Sequence, residues 1–363
     1  MSAGPAPRRD LSLDPFVQDA AERIRQAAAA GVVLIPRGNS TRDAALRAHA
    51  GEALALGAYA GIVQHTPTEL VVTARAGTPL RTLVAALAAE GQRLPFEPPL
   101  GDPRATLGGA VALGTSGPAR PYRAALRDAL LGVTLLDGTG TLCRFGGEVM
   151  KNVAGFDVSR LMAGSYGQLG AMLEISLRLE PCPEVTQTQA LACDLDDALA
   201  RMPALAARPG ALTGLAWLDG QLLARFEGGA VEVALDAAAA GGESLAPSVA
   251  EGLWSTLREG PLAPVAGEHL WRLALPVDAP VWALPSARWA VDWGGGRRWL
   301  STTAPDAAVE QALSAVGGHG LRVAPSVRRS PQPGALRALE ARVAGAMDPS
   351  GVFAHGAAPG EAD

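Results

Sequence analysis

Apolar positions along the chain follow two periods, and the switches between them mark out elements. From Asp14-Pro15 the spacing of Phe16, Val17, Ala20 and Ile24 is helical, with proline in the first turn and Gly31 as the stop. "VVLIP" then predicts a buried strand running straight into Arg37-Gly38-Asn39-Ser40-Thr41. "ELVVTA" predicts a second strand. A helix with Thr78 as its cap and Pro79 in its first turn carries Leu80, Leu83, Val84 and Leu87 on one face and ends at Gly91. A Pro/Gly stretch, "LPFEPPLGDPRATLGGAVALGTSGP", interrupts the pattern. Alternation then returns as a hairpin, "LLGVTLL", "DGTG", "TLCRF". Leu173, Ile175, Leu177 and Leu179 alternate with Glu174, Ser176, Arg178 and Glu180, which predicts a half-buried strand.

Past Pro181-Cys182-Pro183 the texture changes. "LTGLAWLDGQLLARFEG" predicts a hairpin around Asp219-Gly220, and "WAVDWGGGRRWL" a second one. "AVEVALDAAAAGG" and "APDAAVEQALSAVG" read as helices, "HLWRLALP" and "LRVAP" as strands. Antiparallel strands backed by helices describe a smaller α+β unit. The expected division is 1–183, 184–345 and a tail, 346–363, with a return to the first unit as one option for the tail. No internal repeat is legible.

Length and composition narrow the class. The 363 residues suit about two domains, and 48% hydrophobic with 18% charged residues describes a globular protein. A net charge of −5 with scattered arginines carries no nucleic-acid footprint. Cys143, Cys182 and Cys193 form no CxxC, which argues against disulfides and iron–sulphur ligation, and the histidines lack metal-ligand spacing, so no metal is expected. Arg8-Arg9 is followed by "DLSLDPFVQDAAERIR", which has no signal-type apolar core, and "AAAAGVVLIP" is far short of a membrane span. The expected location is cytoplasmic, peripheral to a membrane only through a partner.

One feature of composition bears on chemistry. Lys151 is the sole lysine, and Asn39 and Asn152 are the only asparagines. Both asparagines sit in glycine-rich segments. The dinucleotide signature G-x-G-x-x-G is absent, but three glycine turns stand at strand or helix ends: Arg37 to Thr41, Thr106 to Gly109 leading into Ala110–Gly114, and Gly164 to Gly170. Successive backbone amides in such turns form anion sites, a helix N-terminus adds its dipole, and glycine allows close approach. One such turn is usually structural. Three, with the rare residues inside or beside them, favour a bound anionic cofactor.

The segments "PTELVVTARAGTPL", "LPFEPP", "TLGGAVALGTSGP", "RDALLG" and "GGEVMKNVAGFDVSRLMAGSYGQLG" resemble the FAD-binding domain of the vanillyl-alcohol-oxidase (PCMH-type) flavoproteins. More closely, the chain is similar to the E-subunit family of bacterial glycolate oxidases over roughly residues 15–353, including "DWGGGRRWL" and "MDPSGVF". The resemblance implies an α+β fold: a PCMH-type FAD-binding domain of two subdomains, then a smaller α+β, ferredoxin-like cap domain. It implies non-covalent FAD, with Pro36, Arg37, Gly38, Asn39, Ser40 and Thr41 as the first pyrophosphate loop. Thr106, Leu107, Gly108, Gly109, Thr115 and Ser116 would follow the phosphates and ribitol. Asp128 and Gly132 would lie along the cofactor, and Gly167, Leu169 and Gly170 near the adenosine or ring edge. Lys151 and Asn152 would complete the set, with a salt bridge to Glu148 or Asp157 as the alternative for Lys151. His65 falls where the family places no covalent anchor, and Trp293 and Trp299 read as hairpin packing before substrate stacking. The family's "GVFNPG" is altered here to Gly351-Val352-Phe353-Ala354-His355-Gly356.

The implied activity is oxidation of glycolate and other 2-hydroxy acids in a complex with a homologous catalytic flavin subunit and an iron–sulphur subunit. The catalytic relatives' GDGNxH cluster has no counterpart, and His319 in "VGGHGLRVAP" lacks acidic company. The competing class is a self-sufficient flavin oxidoreductase with its site between the domains and Arg272 or Arg297 as a carboxylate clamp. A scaffold that has lost its flavin is a third.

Overall fold

The computed structural model describes residues 10–41, 51–147 and 157–353. Asp14 accepts a hydrogen bond from the Phe16 amide and opens α1 (Pro15–Ala30), which Gly31 ends in the left-handed conformation. The strand that follows, β1 (Leu34–Arg37), pairs in parallel with β2 (Glu52–Ala55). The distant C-terminal segment completes this layer. Leu34 N donates to Val352 O at 2.7 Å, and Val352 and Phe353 are buried with Val17, Ile24 and Leu34 in one cluster. Asp348 fixes that return, its carboxylate accepting from the Val352 and Phe353 amides.

A five-stranded antiparallel sheet follows. β3 (Ile62–Thr66) and β4 (Val71–Arg75) lead to α2 (Leu80–Ala89) and a short β5 (Gln92–Arg93). Next come α3 (Leu107–Leu113), α4 (Leu126–Ala129), β6 (Leu130–Leu136), β7 (Leu142–Gly146), α5 (Val158–Leu161) and β8 (Ala171–Arg178); β9 (Glu180–Pro181) pairs with β5. The sheet order is β3-β4-β8-β6-β7. Leu80, Leu83 and Leu87 of α2 pack into its core as their spacing predicts. Two expectations need correction. Thr78 does not cap α2: its hydroxyl bonds to the Arg75 carbonyl (2.6 Å) and accepts from the Gly61 amide (3.0 Å), holding the turn before the helix. Nor is β8 half-buried. It is the central strand, so Met172 and Ser176 are covered as well, and Ser176 meets the Thr73 hydroxyl at 2.8 Å.

Beyond β9 lies a nine-stranded antiparallel sheet. Its first half runs β10 (Val185–Ala192), α6 (Leu195–Ala206), β11 (Leu212–Leu218), β12 (Gln221–Gly228), α7 (Ala230–Ala240), β13 (Glu243–Ser244). After α8 (Pro247–Glu259) the second half runs β14 (His269–Ala274), β15 (Arg288–Asp292), β16 (Arg297–Thr302), α9 (Asp306–Val316), β17 (His319–Ala324), β18 (Arg328–Arg329), and α10 (Gly334–Met347) follows. The strand order is β13-β10-β12-β11-β15-β16-β14-β17-β18. Each half therefore places its first four strands in the same order, fourth-first-third-second, as in a ferredoxin-like unit. In the second half a loop, 275–287, replaces the first helix. The halves meet where Trp217 of β11 pairs with Val291 of β15. The repeat is topological, with no trace of it legible in the residues. Asp219 and Gly220 both have positive φ, as a two-residue hairpin turn requires.

Candidate functional site

The loop after β1, the N-terminus of α3 and the turn before β8 converge on one cleft. The cleft and the solvent at its mouth together make up about 910 Å³ of empty space, with Leu56, Ala76, Leu80 and Met172 as apolar lining. Pro36, Arg37, Gly38, Asn39, Ser40, Thr41, Thr106, Gly108, Gly109, Thr115, Gly167 and Gly170 all line it, and Tyr166 joins them.

Local chemistry explains the convergence. Thr106 caps α3 by accepting from the Gly109 amide (3.2 Å), which aims the first turn of the helix at the cleft. The Asn39 side chain donates to the Arg104 carbonyl at 2.9 Å, tying the first loop to the segment before α3. The third turn hangs from α3: the Gly164 and Tyr166 amides donate to the Val111 and Ala112 carbonyls. Two glycines are sterically required. A Cβ on Gly38 would collide with Thr106 Oγ1, and one on Gly108 would stand 2.8 Å from the Ala76 Cβ. The result is a cleft walled by glycine backbone, along which a diphosphate can approach the chain closely, although the first three amides of α3 are themselves engaged by the Thr78 and Ala76 carbonyls and the Thr106 hydroxyl.

Other residues expected at the cofactor do not line this cleft. Leu107 is wholly buried in the core and its amide donates to the Thr78 carbonyl. Ser116 is buried with its hydroxyl accepting from the Leu126 amide. Asp128 accepts from the Ala125 amide, Gly132 lies within β6 against Gly147, and Leu169 packs on the core. Lys151 and Asn152 lie outside the described residues. His65 does not line the cleft; its Nε2 is 2.9 Å from Gln92 Oε1. Among the described residues no group of His, Cys, Asp or Glu could hold a metal.

The corner between β15 and β16, which sequence reading assigned to hairpin packing, reaches across to the first sheet. Trp293 Nε1 donates to the Gly117 carbonyl and Arg297 Nη1 to the Ser116 carbonyl, both at 2.9 Å. Arg225 of β12 pairs with Glu97 at 2.8 Å, and Glu97 accepts from the Ala119 amide. The segment immediately after Thr115, a cleft residue, is thus gripped three times from the second sheet. Arg297 is not a free clamp: its Nε and Nη2 both donate to the fully buried Asp292 carboxylate. Trp293→Phe keeps the ring but removes one grip. It is expected to cost about 1 kcal/mol of stability and to loosen flavin retention, read by denaturant unfolding and by flavin released on dilution; wild-type values in both would make the contact incidental.

A five-stranded antiparallel sheet with a glycine-turn cleft, joined to a large antiparallel sheet, defines a PCMH-type FAD-binding oxidoreductase. Residues 17–146 match the family model described as an FAD binding domain. The chain belongs to the family of the glycolate oxidase subunit GlcE. It is 40% identical to the Escherichia coli (strain K12) protein over 341 residues, 93% of this chain and 96% of that one. It is 29% identical over 163 residues to the glycolate oxidase subunit GlcD of Bacillus subtilis (strain 168), covering 43% of this chain and 34% of the relative. It is 31% identical over 143 residues to a D-lactate dehydrogenase of Anaerostipes hadrus, covering 39% and 30%. In fold it matches alkyldihydroxyacetonephosphate synthase, with a TM-score of 0.65 at 12% identity over 93% of this chain and 74% of that one. The chain is a flavoprotein of the oxidoreductase class and its cofactor is FAD.

Proposed function

We propose that this chain is the FAD-binding subunit of a glycolate oxidase complex, accessory to a homologous catalytic flavin subunit and an iron–sulphur subunit. The observation that carries the reading is the near full-length identity with GlcE, set on a cleft whose glycine turns suit a diphosphate. Bound FAD supplies the hydride and electron chemistry. The Pro36–Thr41 loop and the Thr106–Gly109 turn would hold its pyrophosphate, with Thr115 toward the ribitol and Gly167 and Gly170 at the far wall. Lys151 and Asn152 are assigned to the same cofactor on the family resemblance. Attachment is non-covalent, in keeping with His65 being engaged by Gln92 away from the cleft. Among the described residues no helix is long and apolar enough to cross a membrane, and any membrane contact is assigned to the complex.

The self-sufficient reading takes Arg272 or Arg297 as its carboxylate clamp, and of these Arg297 is committed to Asp292. The expected outcome is therefore that the FAD-loaded chain alone turns over glycolate and D-lactate negligibly, and that activity with a dye acceptor appears on adding both partner subunits. A rate for the lone chain comparable with the complex would overturn the accessory role.

A further inference from the structure

The second sheet carries a cavity of its own. Between α6 and α7 a hollow opens down to the strands, with Arg201 and Leu205 on one side and Gln189, Leu191 and Leu222 beneath. It shares no lining residue with the flavin cleft. Small residues leave it open: Ala204 on α6, Ala224 on β12, and Ala240 with Gly241 where α7 ends. Pro203, inside α6, removes one helix hydrogen bond beside the same wall. Arg208, just past α6, ties the two helices together, its Nη1 donating to the Ala239 carbonyl at 2.8 Å. The cavity volume is about 190 Å³. An apolar cavity of about 150 Å³ takes up one benzene, so the space suits a single ring with a small substituent.

The floor is apolar except at one residue. Gln189 of β10 is 8% exposed, and its Oε1 has no hydrogen-bond partner among the described residues. Its cross-strand neighbours do not supply one. Ala224 stands opposite on β12 and offers only a methyl group. Ser244 stands opposite on β13, and its hydroxyl accepts from Gln187 Nε2 at 3.4 Å. A buried carboxamide without a partner is costly. The arginines add less, because Arg201 and Arg208 are exposed and water and salt screen their charges. The group that selects a ligand here is the amide. It presents an acceptor and a donor side by side, and a second amide edge matches both at once.

We propose that this hollow is a binding site for a small one-ring molecule bearing a primary carboxamide or a lactam. The ring packs on Leu191, Leu205 and Leu222. The amide pairs with Gln189, its N–H donating to Oε1 and its carbonyl accepting from Nε2. The site does not rest on the chain's role in glycolate oxidation.

Titration calorimetry of the FAD-loaded chain tests it, with benzamide and acetophenone as probes. The two share ring, shape and carbonyl, but acetophenone has a methyl group where benzamide has its NH2. Benzamide is expected to bind at one site, about fivefold tighter than acetophenone, the worth of one net hydrogen bond. Gln189→Leu keeps the size of the side chain and should weaken benzamide about tenfold, the worth of two such bonds. It should also reverse the order of the probes, since acetophenone is the more apolar; mere damage to the fold would weaken both alike. Ala204→Phe, at the exposed mouth, should block both probes with flavin content unchanged. No benzamide binding, equal binding of the two probes by the wild-type chain, or undiminished benzamide binding in either variant would each overturn the site. The comparison of probes needs no variant, so it decides the matter if Gln189→Leu fails to fold.

Discussion

Gly108→Val is expected to give a folded chain that emerges without flavin. The Gly108 amide donates to the Ala76 carbonyl at 2.7 Å, so the first turn of α3 rests directly on the chain leaving β4. A Cβ there would sit 2.8 Å from the Ala76 Cβ and 3.0 Å from its carbonyl oxygen, and valine adds two methyl groups to that collision. Backbone on one side and a methyl on the other cannot swing away, so α3 must lift. Overpacking of this kind costs about 1–3 kcal/mol, which a chain of this size survives. The cofactor cannot tolerate the shift as easily, because Ala76, Gly108 and Gly109 are all walls of the cleft and the lift carries the start of α3 into the space proposed for the phosphates. FAD affinity should fall at least a hundredfold, with Gly108→Ala intermediate. The ratio of visible flavin absorbance to protein absorbance after gel filtration measures it. Stoichiometric flavin in the valine variant would place the cofactor elsewhere.

The largest loss of stability is expected for Asp292→Ala. Asp292 is fully buried and both its oxygens accept from Arg297, which is itself 6% exposed. Removing the acid leaves a buried cation whose remaining hydrogen bond among the described residues is to the Ser116 carbonyl. Breaking a buried pair from one side costs about 3–5 kcal/mol, whereas replacing both partners with apolar groups is often close to neutral. Asp292→Ala with Arg297→Met should therefore be more stable than Asp292→Ala alone, while still losing the grip on Ser116. Urea unfolding of the three proteins provides the comparison. A loss under about 1 kcal/mol for the single variant would mean that the charge finds water or another acid.

Elements with one buried face were legible in the residues. The Leu80, Leu83, Leu87 stripe of α2 and the Asp219-Gly220 turn are examples, because burial on one side and a positive φ each demand particular residue types. β3 shows the opposite case. As an edge strand it leaves Ile62 and Val63 over a third exposed, so alternation carries no signal. β2 buries only Leu54, α6 only Ala198 and Met202, and α10 buries nothing, so alanine content alone could not announce them. At the cleft the glycine turns stood out because close backbone approach excludes side chains. Spacing could not tell that Leu107 and Ser116 turn inward from those same turns. The grip of Trp293 and Arg297 on Ser116 and Gly117 was out of reach for a different reason: the acceptors are carbonyls, which every residue possesses.

The pairing of Leu34 with Val352 and Phe353 sets an order on how the protein is made. β1 delivers the first glycine loop to the cleft, yet one of its neighbours is synthesised at the opposite end of the chain. Domains generally acquire structure as they leave the ribosome, N-terminal parts first, but this layer cannot close until Val352 and Phe353, more than three hundred residues later, have cleared the exit tunnel. Cofactor capture in its final form then waits for the emergence of that segment. A nascent chain stalled before Val352 would expose the Ile24 cluster to chaperones and would remain colourless, however much of the glycine-turn region had already emerged.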